Sequence, residues 1–157
     1  MDTLKQQMEY AHNITLENCR VAKPIRFTET SSAYGGGAEG LSDGFAAGFL
    51  WLDKLGLAAK YQVTHLFRQS FFGGRYALVD MQLNPNPDLF LSVLYKRLVE
   101  GPVFQVTSID IPAQLRLYAH CVRNAYYRTS WSTEVVRFGG DKQTLAIMHL
   151  FHYRVSY

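Results

Sequence analysis

The 157 residues suffice for one domain of ordinary size, and 48% hydrophobic against 18% charged side chains is a balance that builds a core and excludes disorder. A net charge of +3 admits an acidic ligand without arguing for nucleic acid, and no Lys/Arg run exceeds two residues, which excludes a polybasic DNA or membrane patch. No apolar run is long enough to span a bilayer, and Met1 to Gln7 lacks the continuous apolar segment of a signal peptide.

The spacing of Leu4, Met8, Ala11, Leu16 and Cys19 predicts a helix over 3–19. Pro24 bars its continuation, and 24–29 then reads as a strand, Ile25 and Phe27 alternating with Arg26 and Thr28. Ser31 to Gly37 is a loop, because three consecutive glycines suit no regular element. Ser42 is expected to cap a second helix running to about Lys60, with Phe45, Phe49, Leu52, Leu55 and Ala59 on its apolar face. Gly44, Gly48 and Gly56 weaken that helix or permit close packing. Gln62 to Phe72 reads as a second strand ending at Gly73-Gly74. Asp88 is expected to cap a third helix, Leu89 to Val99, which Gly101-Pro102 ends.

Helix, strand, helix, strand, helix implies parallel β/α units, and a pair of strands alone cannot make a stable parallel sheet. Beyond Pro102 the period changes to two, in 103–107, 115–121, 131–138 and 145–155. The expected domains are therefore an α/β portion, 1–101, and an antiparallel β segment, 102–157.

Function in a β/α fold gathers at the C-terminal ends of strands and in the loops that follow. Glu29 ends the first strand there, either as a reacting carboxylate or as an acceptor for nearby amides. The glycine run lacks a nucleotide-binding pattern, and no G-x-S-x-G elbow surrounds Ser31 or Ser32. His12, His65, His120, His149 and His152 show no zinc spacing with Cys19 or Cys121 and read as ordinary polar surface or strand residues. Two cysteines define no disulfide framework, and Asn13-Ile14-Thr15 is a sequon that fits a secreted or lysosomal parent.

The segment Glu29-Thr30-Ser31-Ser32-Ala33-Tyr34-Gly35-Gly36-Gly37-Ala38 resembles the nucleophile segment of heparanases, glycoside hydrolase family 79. The likeness continues through Leu41-Ser42-Asp43, Trp51 to Leu57, Arg68-Gln69, Phe71-Phe72-Gly73, Leu94 to Val99 and Leu115 to Cys121. It implies the C-terminal part of a (β/α)8 TIM barrel followed by part of an antiparallel β-sandwich. It implies a retaining endo-β-glucuronidase that cleaves heparan sulfate, secreted into the extracellular matrix or lysosomal, with no metal or organic cofactor. Glu29 matches the nucleophile. Tyr34, Gly35 and Gly36 match one sugar-contacting loop. Gly74, Arg75 and Tyr76 match a second, with Arg75 in place of an asparagine.

Retaining hydrolysis needs two carboxylates about 5–5.5 Å apart. The resemblance implies that the acid/base lies on an earlier strand inside an Asn-Glu pair, which this chain lacks ahead of Glu29. The chain is therefore expected to be a fragment, inactive alone, whose partners are heparan sulfate proteoglycan chains and the missing N-terminal part of the barrel. Peripheral membrane or matrix association is compatible with such a parent. The alternatives are a non-catalytic heparan sulfate-binding or regulatory relative and an incomplete gene model.

Overall fold

Pro24 and the glycine run bracket the first strand as their chemistry dictates, and the elements follow in the expected order. In the computed structural model, residues 2–21, 23–107, 115–122 and 145–151 are described. The chain forms two compact units, Met1–Leu91 and Ser92–Tyr157. It is mixed α/β. The expected strand over 131–138 and His152 lie outside the described residues.

In the first unit, helix α1 (Asp2–Asn18) precedes strand β1 (Ile25–Thr30), helix α2 (Phe45–Lys60) and strand β2 (Val63–Arg68). The strands pair in parallel, with Ile25 opposite Val63, Phe27 opposite Leu66 and Thr30 opposite Arg68. Three residues of β1 thus face two of β2 beyond Phe27, an irregularity at Thr28-Glu29. Phe67, Phe71 and Phe72 stay exposed.

Three expectations are corrected here. Among the described residues of α1 only Met8 is fully buried; Leu16 is exposed, and Cys19, just past the helix end, is exposed too. On α2 the buried face carries Ala47, Gly48, Trp51, Leu52, Lys54, Leu57 and Ala58, and Phe45 and Phe49 face outward. The glycines explain the choice: at Gly48 an added Cβ would collide with Leu91, so the smallest residue turns inward and lets helix α3 (Pro87–Leu98) approach. Third, Ser42 does not cap α2. Gly44 occupies the cap with no side-chain hydrogen bond, and Ser42 serves the preceding loop instead.

The second unit holds strands β3 (Val99–Phe104), β4 (Leu115–Val122) and β5 (Leu145–Phe151), antiparallel in the order β3-β4-β5. Helix α3 ends at Leu98, and Gly101-Pro102 sits inside β3 where the register shifts, Gly101 at φ +73° supplying the left-handed turn of a bulge. His120 is not a surface residue. It is 1% exposed, meets the Tyr95 ring edge-on at 6.0 Å, and burial lowers its pKa.

Candidate functional site

Because β1 and β2 run in parallel, their C-terminal ends lie at one edge and the loops that follow them leave together. Glu29 is the penultimate residue of β1 and is exposed. The Gln69 amide donates to the Thr30 carbonyl at 3.0 Å, closing the pair at that end.

The two loops are joined through their backbones. The Gly36 carbonyl accepts from the Arg75 amide at 2.7 Å and from the Tyr76 amide at 3.3 Å. Two glycines allow this approach. A Cβ on Gly37, at φ +99°, would stand 2.9 Å from the Tyr76 nitrogen, and one on Gly74, at φ +81°, would stand 3.2 Å from the Gly36 carbonyl oxygen. Gly35 and Gly36 also take positive φ. Ser42 pins the first loop from below: its Oγ accepts from the Ala38 amide at 2.9 Å and bonds the Ser32 hydroxyl at 2.7 Å.

Gly35, Gly36, Gly74, Arg75 and Tyr76 are thus brought into one rim. The Tyr34 ring is fully exposed. The Tyr76 hydroxyl accepts from the Gln69 side-chain Nε2 at 3.4 Å. Arg75 pairs with Glu39 at 2.7 Å in an exposed bridge.

Beneath the rim lies a charged cluster that sequence reasoning missed. Lys54, on the buried face of α2, donates from Nζ to Thr30 Oγ1 and to the Ser31 carbonyl, each at 2.6 Å. Arg68, at the end of β2, donates to the Tyr76 carbonyl at 2.6 Å and to Asp88 at 2.5 Å. Its guanidinium sits 4.7 Å from the Trp51 ring centroid. Desolvation, chiefly, lowers Lys54 from 10.5 to about 8; Arg68 adds to the fall and Asp88 opposes it. Desolvation likewise raises the Asp88 carboxyl, outweighing the attraction of Arg68 and Lys54. Asp88 was expected as a helix cap; it stands in the first turn of α3 with its carboxylate on Arg68. The overlooked signal was Asp53-Lys54 inside the apolar run from Phe49 to Leu57, since a charge on a buried face requires partners. Among the described residues, no group of three or more His, Cys, Asp or Glu comes together as a metal site would require, and no helix is long and apolar enough to cross a membrane.

Heparanase from Rattus norvegicus is 52% identical over 108 residues, 67% of this chain. This chain is a relative of the heparanases. A hyaluronoglucuronidase from Hirudo nipponia is 34% identical over 152 residues, 92% of the chain and 31% of that protein. Inactive heparanase-2 from Homo sapiens is 36% identical over 135 residues, 79% of the chain and 23% of that protein. No family model matches. The chain spans 20% of the length of the rat heparanase, so the heparanase likeness concerns a segment of those proteins.

Proposed function

We propose that this chain is the nucleophile-bearing segment of a retaining endo-β-glucuronidase, built as the last strands of a (β/α)8 barrel followed by part of a β-sandwich. The observation that carries the reading is the placement of Glu29 at the C-terminal end of β1, beside a rim formed by the two strand-end loops. The exposed Phe67 of β2 fits a strand that awaits a barrel neighbour.

In this reading a Glu29 carboxylate oxygen attacks the anomeric carbon of a glucuronide. The glycosidic C–O bond breaks, and the leaving oxygen takes a proton from a second carboxylate outside this chain. Water then hydrolyses the glycosyl ester, so configuration is retained. Amides of Gly35 and Gly36 hold the glucuronate carboxylate, since glycine lets the ligand approach the backbone, and Tyr76 donates to the same sugar. Arg75 offers a guanidinium to sulfate or carboxylate at the rim. The reaction as written needs no metal or organic cofactor.

Heparan sulfate is the proposed substrate. Hyaluronan is a second reading, favoured by the Hirudo nipponia relative, whose match covers more of the chain. A non-catalytic role is the third, favoured by the likeness to an inactive heparanase-2. The test joins residues 1–157 to the upstream part of a heparanase relative and offers heparan sulfate and hyaluronan separately. Cleavage of heparan sulfate, reduced about 10³-fold or more by E29Q, is the expected result. Cleavage of hyaluronan alone reassigns the substrate. Equal rates for the unsubstituted and E29Q forms, or no cleavage of either polymer, overturn the reading.

A further inference from the structure

The β1–β2 ladder does not hold Glu29 in regular register. Phe27 pairs with Leu66 and Thr30 with Arg68, so Thr28 and Glu29 fall in the irregular stretch between two fixed points. Such an irregularity re-aims a side chain, and it also removes the regular ladder bonds that would fix that aim. The backbone of Thr30 is held by its pairing with Arg68 and by the Gln69 backbone amide, and a side chain that grips Thr30 and Ser31 would fix the aim of Glu29 further.

Lys54 is placed to do so. It is 5% exposed, and its Nζ reaches the side chain of the first residue after Glu29 and the carbonyl of the second, both at 2.6 Å. Burying an ammonium costs free energy that a neutral residue on α2 would not incur. Asp88, whose carboxylate faces Arg68, attracts Lys54 and offsets part of that cost, against burial and the repulsion of Arg68. Arg68 in turn grips the Tyr76 carbonyl. Asp88 therefore attracts both cations, and each cation holds a different half of the rim.

We infer that Lys54 is a positioning residue for Glu29, fixing the irregular C-terminal end of β1 so that the carboxylate meets the anomeric carbon. The inference rests on the proposed nucleophilic role of Glu29 and adds a residue that never touches substrate. Thr30 is its receiving partner.

The test follows the rate at which a 2-deoxy-2-fluoro-β-glucuronyl fluoride labels the completed chain. The carboxylate displaces fluoride from C1 and forms an ester, and fluoride leaves without an acid, so the rate reports nucleophile alignment apart from the acid/base. K54M is expected to slow labelling about 10²-fold, the loss produced by roughly 1 Å of misplacement, with the half-saturating concentration of the reagent unchanged. T30V, which removes one of the two contacts, should slow labelling less, and the K54M/T30V double variant should be no slower than K54M. A merely structural lysine would lower the folded fraction or weaken reagent binding and leave the saturated rate of the folded protein intact. Labelling of Glu29 in K54M at the wild-type rate overturns the inference. If K54M does not fold, T30V decides: slowed labelling upholds it, and wild-type labelling overturns it. Peptide mass separates the two claims, because a label on a residue other than Glu29 in the unsubstituted protein sinks the nucleophile assignment itself.

Discussion

The Arg75 amide donates to the Gly36 carbonyl at 2.7 Å, and this bond ties the loop after β1 to the loop after β2. Neither loop has regular structure to hold it, so their geometry depends on such cross-links and on glycines that clear the space.

Gly37 is the least replaceable of those glycines. It has φ +99°, and an added Cβ would lie 2.9 Å from both the Tyr76 nitrogen and the Ser42 Cβ. G37A is expected to destabilise the fold by about 1–3 kcal/mol, from positive-φ strain alone before the clash is counted. The closely following Gly40 makes a control, because it has φ +68° but open space around a Cβ. Urea unfolding of both variants should show the larger loss at Gly37.

Ser42 is buried and bonds both the Ala38 amide and the Ser32 hydroxyl. S42A should cost about 1–3 kcal/mol, because it strands a donor in a place water reaches poorly. Had Ser42 been a helix cap, the helical signal of α2 would suffer first. Here, hydrogen exchange should quicken in 32–42 while α2 stays protected.

Two ion pairs flank the rim, and burial decides their weight. Arg68–Asp88 has side chains 8% and 2% exposed, whereas Arg75–Glu39 has 46% and 82%. D88N should destabilise by about 3–5 kcal/mol, since Arg68 and Lys54 lose their shared counter-charge in a dry place. E39Q should change stability by less than about 1 kcal/mol. Equal effects in thermal unfolding would contradict this ranking.

The pH dependence of Lys54 has a defined sign. Its folded pKa is about 8 against an ordinary 10.5, through burial first and Arg68 second, with Asp88 opposing. Below pH 8 both folded and unfolded chains carry the proton, and the contribution is constant at its least favourable. Between about pH 8 and 10.5 the unfolded chain binds a proton that the folded chain has released, so stability from this group rises with pH. The unfolding free energy of wild type minus that of K54M should therefore grow across this window, and a flat or falling difference would refute the assignment.

The sequence carried the order of the first five elements because local chemistry sets it: Pro24 keeps the segment before β1 from being helical, the glycine run keeps the segment after it a loop, and apolar residues recur at helical spacing in α2. The loops after β1 and β2 were also legible as loops, through the glycines at 35–37 and 73–74. What escaped was tertiary. Phe45 and Phe49 recur at helical spacing, yet the helix buries Gly48 and Lys54, because close approach to Leu91 and contact with Thr30 are set by partners distant in the chain. Ser42 beside Asp43 has the composition of a cap, and only the folded loop reveals that its hydroxyl faces Ala38 and Ser32.

The central claim is that Glu29 attacks the anomeric carbon, and azide rescue tests it most directly. In the completed chain, E29A removes the carboxylate and leaves room for a small anion. With an aryl β-glucuronide whose phenolate leaves unaided, added azide should restore turnover and yield the α-configured glucuronyl azide, formed by one displacement at C1. Turnover of E29A that azide leaves unchanged, with the β-configured glucuronic acid still released at the wild-type rate, would contradict the claim.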